Sequence, residues 1–426
     1  MKYLMYSTYG EGAHILYRIK NEGNDCKLFI KDKYYREVFD GMLDKIELEN
    51  IESFIDKNTL VIFDSCGNGE YADYLRKKDI KVYGSSIFSD KLELDRNYGI
   101  EVMKQCGIKV PKFEEFTDFN KAKEYIEYGK NHLVFKPNNA PTKLTYVAKT
   151  EHELIEYLIF IESKYKNEIK SFIIQEFLEG IPVSSEFFCD GENFLFPGNH
   201  TVEVKKFMNN DLGPSSGCSG NITWPCEDDY IIKSGIKKLE LICRENQLIG
   251  QIDLNTIVNE RGVYGLEFTA RIGYDATPTL LTLVREDIGQ FFYDIACGQE
   301  YDDIDIDNEY AGSIRVTVPP YPIDTKKMNL LEKVSPSKNL PIFGYEEYSE
   351  NIYMYDVKLG DEKLVHASGS GVICLAIGTG NNPEESLILP NEIVENLVIP
   401  DKQYRTDLDV VLPGMVSEVE LSYARK

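Results

Sequence analysis

The sequence lacks the cysteine and hydrophobic patterns that mark secreted and membrane proteins. Its nine cysteines are scattered with no Cys-x-x-Cys pair, so neither a disulfide framework nor a structural zinc site is expected. The five histidines show no metal-ligand spacing. No apolar run approaches the length of a membrane span, and the N-terminal stretch has no signal-peptide layout. We therefore expect a cytoplasmic protein with reduced thiols.

Positive charge is also scarce. The chain has 47 lysines and arginines against 71 aspartates and glutamates, which gives a formal net charge of -24. Such a balance repels nucleic-acid polymers and anionic membranes on average, although a local basic pocket can still bind a nucleotide. Apolar residues make up 42% of the 426 residues. That share is enough for the folded cores of two or three domains.

Residues 1–90 alternate between strand and helix patterns, with glycine-containing loops between them. Strands are predicted at Lys2–Ser7, Lys27–Ile30, Leu60–Asp64 and Lys81–Tyr83. This alternation is typical of an open parallel sheet, whose ligands bind at the carboxyl ends of the strands. The loop with Gly10 and Gly12 could bring backbone N–H groups to a substrate phosphate. The alternative is an ordinary glycine turn.

The segment 248–277 predicts two strands joined by a turn at residues 259–262. Asp253 lies on the first strand, and Glu267, Thr269 and Arg271 occupy alternate positions of the second. Side chains two apart on a strand point to the same face. One face therefore offers oxygen ligands for Mg²⁺ (or Mn²⁺) on a nucleotide triphosphate, beside an arginine that can steady a transferred phosphoryl group. The alternative is a solvated strand face.

Two predicted strand ends could contact a nucleotide. Lys136 ends the strand Leu133–Lys136 and could reach the α- and β-phosphates as a point charge, or be a surface lysine. In residues 175–178, QEFL, backbone groups could pair with an adenine edge while Phe177 and Leu178 pack on its faces. The alternative for this segment is an ordinary strand terminus.

A basic pair precedes a loop that is rich in glycine and serine. Lys205 and Lys206 follow Glu203, and residues 211–220 read DLGPSSGCSG. Such a loop exposes backbone donors and small hydroxyls that suit a carboxylate or an acyl phosphate. The alternative is a flexible surface loop.

The order of these pieces resembles that of the ATP-grasp fold, and more narrowly the glycinamide ribonucleotide synthetase (phosphoribosylamine–glycine ligase) family. The segment EVKKFMNNDLGPSSGCSG resembles the family's QDHKR…D-x-GPNTGGMG signature, and LEFTARIG resembles LEFN-x-RFG. DRNYGIEVMKQCGIKVP resembles a family helix and places Arg96 at its ATP-binding basic position. Tyr404–Asp407 and His366-Ala367 resemble motifs nearer the family's C-terminus. The resemblance therefore spans almost the whole chain.

The resemblance implies a mixed α/β and α+β fold. We expect a Rossmann-like N-terminal domain at 1–90 and a central ATP-grasp domain at 91–310, with a lid subdomain at 112–175. A small β-rich C-terminal domain is expected at 311–426.

The resemblance also implies an ATP-dependent carboxylate–amine ligase of purine biosynthesis, which forms an amide through an acyl phosphate. By family default its substrates are glycine and phosphoribosylamine, its cofactors are ATP and Mg²⁺ (or Mn²⁺), and it is a monomer or homodimer. The implied roles are metal binding by Asp253, Glu267 and Thr269; catalysis by Arg271, Lys205 and Asp211; ATP binding by Arg96, Lys136, Lys143, Gln175, Glu176, Phe177, Leu178 and Glu186; and substrate binding by Gly10, Gly12, Glu203, Lys206, Gly213, Pro214, Ser215, Ser216, Gly217 and Gly220.

The chain departs from the family pattern at several positions. The lid sequence PNNAPTKLTY has two prolines and no glycine, which predicts a stiffer lid with Lys143 as its lysine. The acid that follows the hinge in the family is missing, which leaves Glu186 as a candidate to bind the ribose. Thr269 replaces an asparagine, and Asp253 resembles the first metal ligand of D-alanine–D-alanine ligase. Two alternatives therefore stay open: a ligase that joins an amino acid to a different amine in a specialised pathway, and a non-catalytic ATP-binding protein.

Overall fold

The computed structural model describes residues 1–129, 133–138, 144–298, 304–307, 309–323, 337–367 and 370–424. Their strands form sheets of five, four, eight and two strands. Within these ranges, no helix is both long and apolar enough to cross a bilayer.

The N-terminal sheet is parallel and has five strands. Its elements, with the helices that follow, are β1 (Lys2–Ser7), α1 (Ala13–Asn21), β2 (Asp25–Ile30), β3 (Asp44–Lys45), α2 (Ile51–Phe54), β4 (Thr59–Phe63), α3 (Gly69–Lys77), β5 (Lys81–Tyr83), α4 (Ile87–Leu94) and α5 (Arg96–Gln105). The strand order is β3-β2-β1-β4-β5. β4 is buried along its whole length, as expected for a parallel strand that is covered on both faces. The strands predicted in this region are confirmed.

A small antiparallel sheet with its own core follows. Its elements are β6 (Phe113–Phe116), α6 (Phe119–Tyr128), β7 (Leu133–Pro137), β8 (Tyr146–Val147), α7 (Glu151–Tyr165) and β9 (Phe172–Glu176). The strand order is β6-β9-β7-β8, and Phe135 and Phe172 pack with Leu158 in the core. The sheet lies within the predicted lid subdomain, whose boundaries stay a prediction. Lys143 lies outside the described residues.

The largest sheet has eight strands and continues into the C-terminal region. The remaining elements are β10 (Ile181–Asp190), β11 (Phe194–Lys206), β12 (Ser215–Cys226), α8 (Tyr230–Ser234), α9 (Glu240–Glu245), β13 (Ile249–Asn259), β14 (Gly262–Thr269), α10 (Ala276–Leu280), α11 (Ile288–Cys297), β15 (Tyr310–Thr317), β16 (Ile352–Met354), β17 (Val357–Gly360), β18 (Lys363–His366), β19 (Val372–Gly380), α12 (Ile388–Asn396) and α13 (Leu408–Ala424). The order is β14-β13-β10-β11-β12-β15-β19-β16, and β17 pairs with β18. Because β15 pairs with β12, the sheet runs through the predicted boundary at residues 310–311. That domain boundary stays a prediction.

Two local predictions were wrong. The predicted loop at 211–220 is a strand from Ser215 onward, with Gly220 opposite Val204 on β11. Small residues have little intrinsic preference for strands, but here pairing with β11 and β15 stabilises the extended conformation. Arg271 is not on the second hairpin strand, because β14 ends at Thr269. The predicted turn at 259–262 is confirmed.

Candidate functional site

A cavity of about 590 Å³ opens where the N-terminal sheet, the hairpin β13–β14 and the C-terminal strands meet. Side chains from all three regions line it. The predicted site residues on its wall are Gly10, Arg96, Glu203, Lys205, Ser216, Gly217, Asp253, Glu267, Thr269 and Arg271. The fold therefore brings together residues that are distant in the sequence.

The hairpin presents a row of oxygen donors to this cavity. Asp253 lies opposite Thr269, and Asn255 lies opposite Glu267. The Asn255 amide donates to Thr269 Oγ1 at 3.3 Å and to Asp253 Oδ2 at 3.5 Å. Asn255 was not predicted as a site residue, although its spacing from Asp253 was the available signal. We call Asp253, Asn255, Glu267 and Thr269, with Arg96, Lys136 and Lys205, the hairpin group.

Carboxylates crowd the sheet face beneath the hairpin. Glu186 on β10 lies opposite Asp253, and Glu203 lies on the next strand, β11. Burial, reinforced by Glu186 and Glu203, raises the pKa of Asp253 well above its usual range. Burial raises the pKa of Glu186 to about 7. Asp253 Oδ1 is buried and accepts no hydrogen bond from the described residues. A divalent cation would relieve this crowding, so the donor set fits Mg²⁺.

Glu186 was predicted to bind the ribose of ATP. It is 3% exposed, does not line the cavity, and accepts a hydrogen bond from Asn199 Nδ2 at 3.3 Å. Its position beside Asp253 gives the predicted ribose role no support.

Three cations approach the hairpin. Arg96 NH1 lies 3.6 Å from Glu267 Oε2, and Arg96 Nε donates to the Pro137 carbonyl at 3.4 Å. Lys205 donates to Asn255 Oδ1 at 3.3 Å. Burial alone would raise the pKa of Glu267, but the nearby cations hold it below its usual value.

Lys136 is not a surface lysine. It is 8% exposed, and within the described ranges its ammonium makes no ion pair. Burial lowers its pKa to about 8; nearby Glu267 opposes this shift, while Arg96 and Lys205 add to it. A buried ammonium without a counter-ion is ready to bind an anion.

Arg271 is held by a residue that the sequence did not indicate. Its Nε donates to Glu93 Oε1 on α4 at 3.3 Å, and its guanidinium lies 3.9 Å from the centre of the Tyr274 ring. Glu93 Oε2 also accepts the backbone N–H of Ala270 at 2.8 Å. Glu93 therefore orients the arginine at the end of the hairpin.

Two backbone donors of the predicted phosphate loop already have acceptors. The Gly10 N–H donates to Ser7 Oγ at 2.6 Å, and the Gly12 N–H donates to Asp64 Oδ2 at 2.8 Å. Asp64 is fully buried. A Cβ on Gly12 would lie 2.9 Å from the Asp64 Cβ, so glycine permits this close approach. The structure thus gives no support to phosphate binding by these two N–H groups.

Asp211 lies away from the cavity wall. Its carboxylate is 62% exposed and accepts from Arg405 NH1 at 2.5 Å. Arg405 is 1% exposed and also pairs with Asp407. The pair joins the segment before β12 to the segment before α13, which gives the predicted catalytic role of Asp211 no support.

The remaining predicted residues that the structure describes are not part of the cavity wall. The main-chain carbonyl of Lys206 accepts from Arg405 NH1 at 3.2 Å. The other predicted residues outside the cavity lining are Gln175, Glu176, Phe177, Leu178, Gly213, Pro214, Ser215 and Gly220.

A second set of polar side chains on the cavity wall was missed by the sequence reading. Arg315 NH2 donates to Asp275 Oδ1, and Arg315 NH1 donates to the Tyr321 hydroxyl at 3.1 Å. The Tyr355 hydroxyl lies 3.0 Å from Asp275 Oδ1. Asp356 is the next residue after Tyr355 in the chain. We call Asp275, Arg315, Tyr321, Tyr355 and Asp356 the Asp275 group. The available signal was an arginine inside the stretch SIRVTV, whose β-branched residues favour a strand.

The sequence is similar to those of phosphoribosylamine–glycine ligases. Residues 94–274 match the family model for the ATP-grasp (A) domain of phosphoribosylglycinamide synthetase. Phosphoribosylamine–glycine ligase from Helicobacter pylori is 27% identical over 79% of this chain and 78% of its own length. The Streptococcus pneumoniae enzyme is 24% identical over 90% of this chain and 95% of its own length.

Solved structures share the fold. Phosphoribosylamine–glycine ligase from Thermotoga maritima superposes with a TM-score of 0.73 at 20% identity, covering 96% of this chain and 100% of that one. A biotin carboxylase from Campylobacter jejuni has a TM-score of 0.67 at 14% identity, covering 100% and 98% of the two chains.

Proposed function

We propose that this chain, which is similar to glycinamide ribonucleotide synthetase, is an ATP-grasp ligase that forms an amide through an acyl phosphate. The observation that carries the proposal is the hairpin group, in which carboxylates and cations from separate elements converge on one cavity. The carboxylate oxygen of an amino acid attacks the γ-phosphorus of ATP, and ADP leaves. The amine then attacks the acyl carbon, and phosphate leaves as the C–N bond forms.

The hairpin residues would hold Mg²⁺ (or Mn²⁺). Asp253 and Glu267 supply carboxylate oxygens, and Thr269 supplies a weaker hydroxyl oxygen. A bound divalent ion neutralises charge on the transferred phosphoryl group. Asp253 Oδ1 lacks a partner among the described residues, which supports this assignment.

The cations position and neutralise the phosphates. Arg96 and Lys136 approach Glu267 from α5 and β7, where they can contact the α- and β-phosphates. Lys205 and the strand start at Ser216 and Gly217 face the same cavity and can orient the carboxylate and its acyl phosphate. Such catalysis consists mainly of positioning and charge stabilisation. Arg271 lines the same cavity and would contribute positive charge near the transferred group.

The likeness to phosphoribosylamine–glycine ligases makes glycine and phosphoribosylamine the first substrates to test, in purine biosynthesis in the cytoplasm. One observation favours a second candidate, a ligase with a different amine. The carboxylate of Asp64 accepts the Gly12 N–H, where the resemblance implied a substrate phosphate.

The test is a turnover screen for ADP release with Mg²⁺, ATP, a panel of amino acids and a panel of amines. ADP release with only glycine and phosphoribosylamine supports the purine reaction and removes the second candidate. ADP release with another pair supports the specialised ligase. ATP binding without ADP release under any mixture contradicts both and leaves a non-catalytic ATP-binding protein. Sedimentation would separate a monomer from a homodimer.

A further inference from the structure

Two buried carboxylates of the Asp275 group have incomplete hydrogen bonding. Asp275 and Asp356 are each 3% exposed, and both line the cavity. Asp275 Oδ2 and Asp356 Oδ1 are buried and accept no hydrogen bond from the described residues. Because an unpaired buried carboxylate oxygen is unfavourable, each is a place where a ligand N–H would be stabilised.

The other oxygen of Asp275 is fixed by its neighbours. Arg315 NH2 donates to Asp275 Oδ1, and the Tyr355 hydroxyl lies 3.0 Å from the same atom. Arg315 is itself held by the Tyr321 hydroxyl at 3.1 Å, and that hydroxyl donates to the Ser216 carbonyl at 2.8 Å. The carboxylate is therefore oriented through one oxygen and leaves the other open.

Asp356 is oriented in the same way by a histidine. His366 Nε2 lies 2.9 Å from Asp356 Oδ2, and His366 Nδ1 lies 2.9 Å from the Ser337 carbonyl oxygen. Both partners can accept a hydrogen bond, so the two ring nitrogens are placed to donate. Burial alone would lower the pKa of His366, but its contacts with Asp356 raise it above the usual value. His366 is a positioning residue here: it fixes one oxygen of Asp356 and leaves Oδ1 open.

We propose that Asp275 and Asp356 form the subsite that binds the ammonium group of the amine substrate. A primary ammonium has three N–H donors, and the two carboxylates offer two open acceptors. Tyr355 connects the two acids, since it contacts Asp275 and precedes Asp356 in the chain. This inference rests on the proposed ligase function, which supplies the amine substrate.

The subsite shares one cavity with the hairpin group and is joined to it. The Arg271 guanidinium lies over the ring of Tyr274, and Tyr274 directly precedes Asp275 in the chain. Tyr321 contacts Ser216, whose hydroxyl donates to the Lys205 carbonyl at 3.4 Å. An amine held at Asp275 and Asp356 would therefore face the site where Lys205 orients the acyl phosphate. The ammonium first gives one proton to a carboxylate of the subsite, because only the neutral amine has the lone pair that attacks the acyl carbon.

The test replaces Asp356 by asparagine and compares it with a matched control. Asp229→Asn is the control, because Asp229 Oδ2 also pairs with a buried histidine, His200 Nε2 at 2.7 Å. His200 and Glu203 lie an odd number of positions apart on β11, so their side chains point to opposite faces of the sheet. Glu203 faces the cavity, and His200 therefore points away from it. Both variants lose an Asp–His pair, but only Asp356→Asn loses a cavity carboxylate.

In Asp356→Asn we expect the KM for the amine to rise by about tenfold or more, from loss of one charge-assisted hydrogen bond. The KM values for ATP and the amino acid should stay unchanged, and Asp229→Asn should change none of the three. Asp356→Glu restores a carboxylate and should recover part of the loss. Equal effects of Asp356→Asn and Asp229→Asn, or an effect on ATP alone, would overturn the subsite.

A binding measurement separates this inference from the proposed function. Calorimetry with ethylamine and its uncharged analogue ethanol needs no turnover. The subsite is supported if the full chain binds ethylamine, if Asp356→Asn weakens this binding, and if Asp229→Asn does not. This support would hold even where no mixture releases ADP and the ligase proposal fails. No preference for ethylamine over ethanol in the wild type overturns it. If Asp356→Asn melts at a much lower temperature than the wild type, Asp275→Asn is measured in its place, with the same expectations.

Discussion

Except for Lys136, the residues of the hairpin group and of the Asp275 group line the same cavity, but the charges of the two groups are arranged differently. In the hairpin group, Lys136 is buried and makes no ion pair with a described residue, and Asp253 Oδ1 accepts no hydrogen bond from one. In the Asp275 group, Arg315 already pairs with Asp275, and Asp356 pairs with His366. The unpaired charges of the hairpin group favour strongly charged ligands. In the Asp275 group the charges already pair with one another, and the remaining carboxylate oxygens are directional hydrogen-bond acceptors. In the proposed reaction, charge neutralisation and substrate selection would therefore fall to separate groups of side chains.

Removal of the exposed metal ligand should have the largest effect. Glu267→Ala removes a carboxylate that is 45% exposed, so the fold should survive while ADP release falls by more than about 100-fold. ADP release and a thermal melt measure the two properties. Glu101→Ala is the control, because Glu101 is also an exposed glutamate, 60% exposed on α5, and lies outside the cavity. Unchanged turnover in Glu267→Ala would remove the metal assignment from the hairpin.

The second prediction concerns the buried lysine. Lys136→Met should weaken nucleotide binding by about tenfold or more, because a desolvated positive charge beside the phosphates is lost. Lys123→Met is the control, since Lys123 is a partly buried lysine near the same small sheet and pairs with Glu162. A loss of affinity shared by both variants would show that packing, and not charge, is responsible.

The pH dependence gives Lys136 a separate signature. Its pKa in the free protein is about 8, so near that pH part of the population has a neutral amine. Bound phosphates favour the ammonium, so nucleotide binding should take up protons, and affinity should fall as pH rises through about 8. Calorimetry in buffers of different ionisation enthalpy measures the uptake. Lys136→Met should abolish it.

The third prediction concerns the carboxylates beneath the hairpin. Burial raises the pKa values of Glu186, to about 7, and of Asp253. A divalent cation binds the ionised forms, so metal binding should release protons and strengthen as pH rises toward and beyond about 7. Mn²⁺ titration followed by electron paramagnetic resonance measures the affinity. Glu186→Gln should flatten its pH dependence near neutrality, and an unchanged profile would place the metal away from Asp253 and Glu186.

The main residues of the hairpin group could be predicted from the sequence, and those of the Asp275 group could not. Strict alternation around a short turn predicted β13 and β14, and the same alternation placed Asp253 and Glu267 on one face. Asp275 and Arg315 are 40 positions apart, and they meet only because β15 joins β12. No local pattern contains that pairing.

Two further errors have the same physical origin. Gly12 and Asp64 are 52 positions apart, so the hydrogen bond between the Gly12 N–H and the Asp64 carboxylate could not be predicted from the sequence of the glycine loop. Ser215–Gly220 looked like a loop because small residues carry little strand preference, and neighbouring strands decided its conformation.

The smallest effect is expected at Asp211, which lies outside both groups. Its carboxylate is 62% exposed, and exposed ion pairs contribute only about 0–1 kcal/mol. Asp211→Asn should therefore lower the free energy of unfolding by less than about 1 kcal/mol and leave turnover within about twofold of the wild type. Asp407→Asn should destabilise more, because Asp407 makes two contacts with the buried Arg405 guanidinium, at 2.8 and 2.7 Å. Urea denaturation and ADP release on both variants provide the comparison. A large loss of turnover in Asp211→Asn at unchanged stability would restore the catalytic role implied by the family resemblance and would move the reacting centre from the hairpin toward the start of β12.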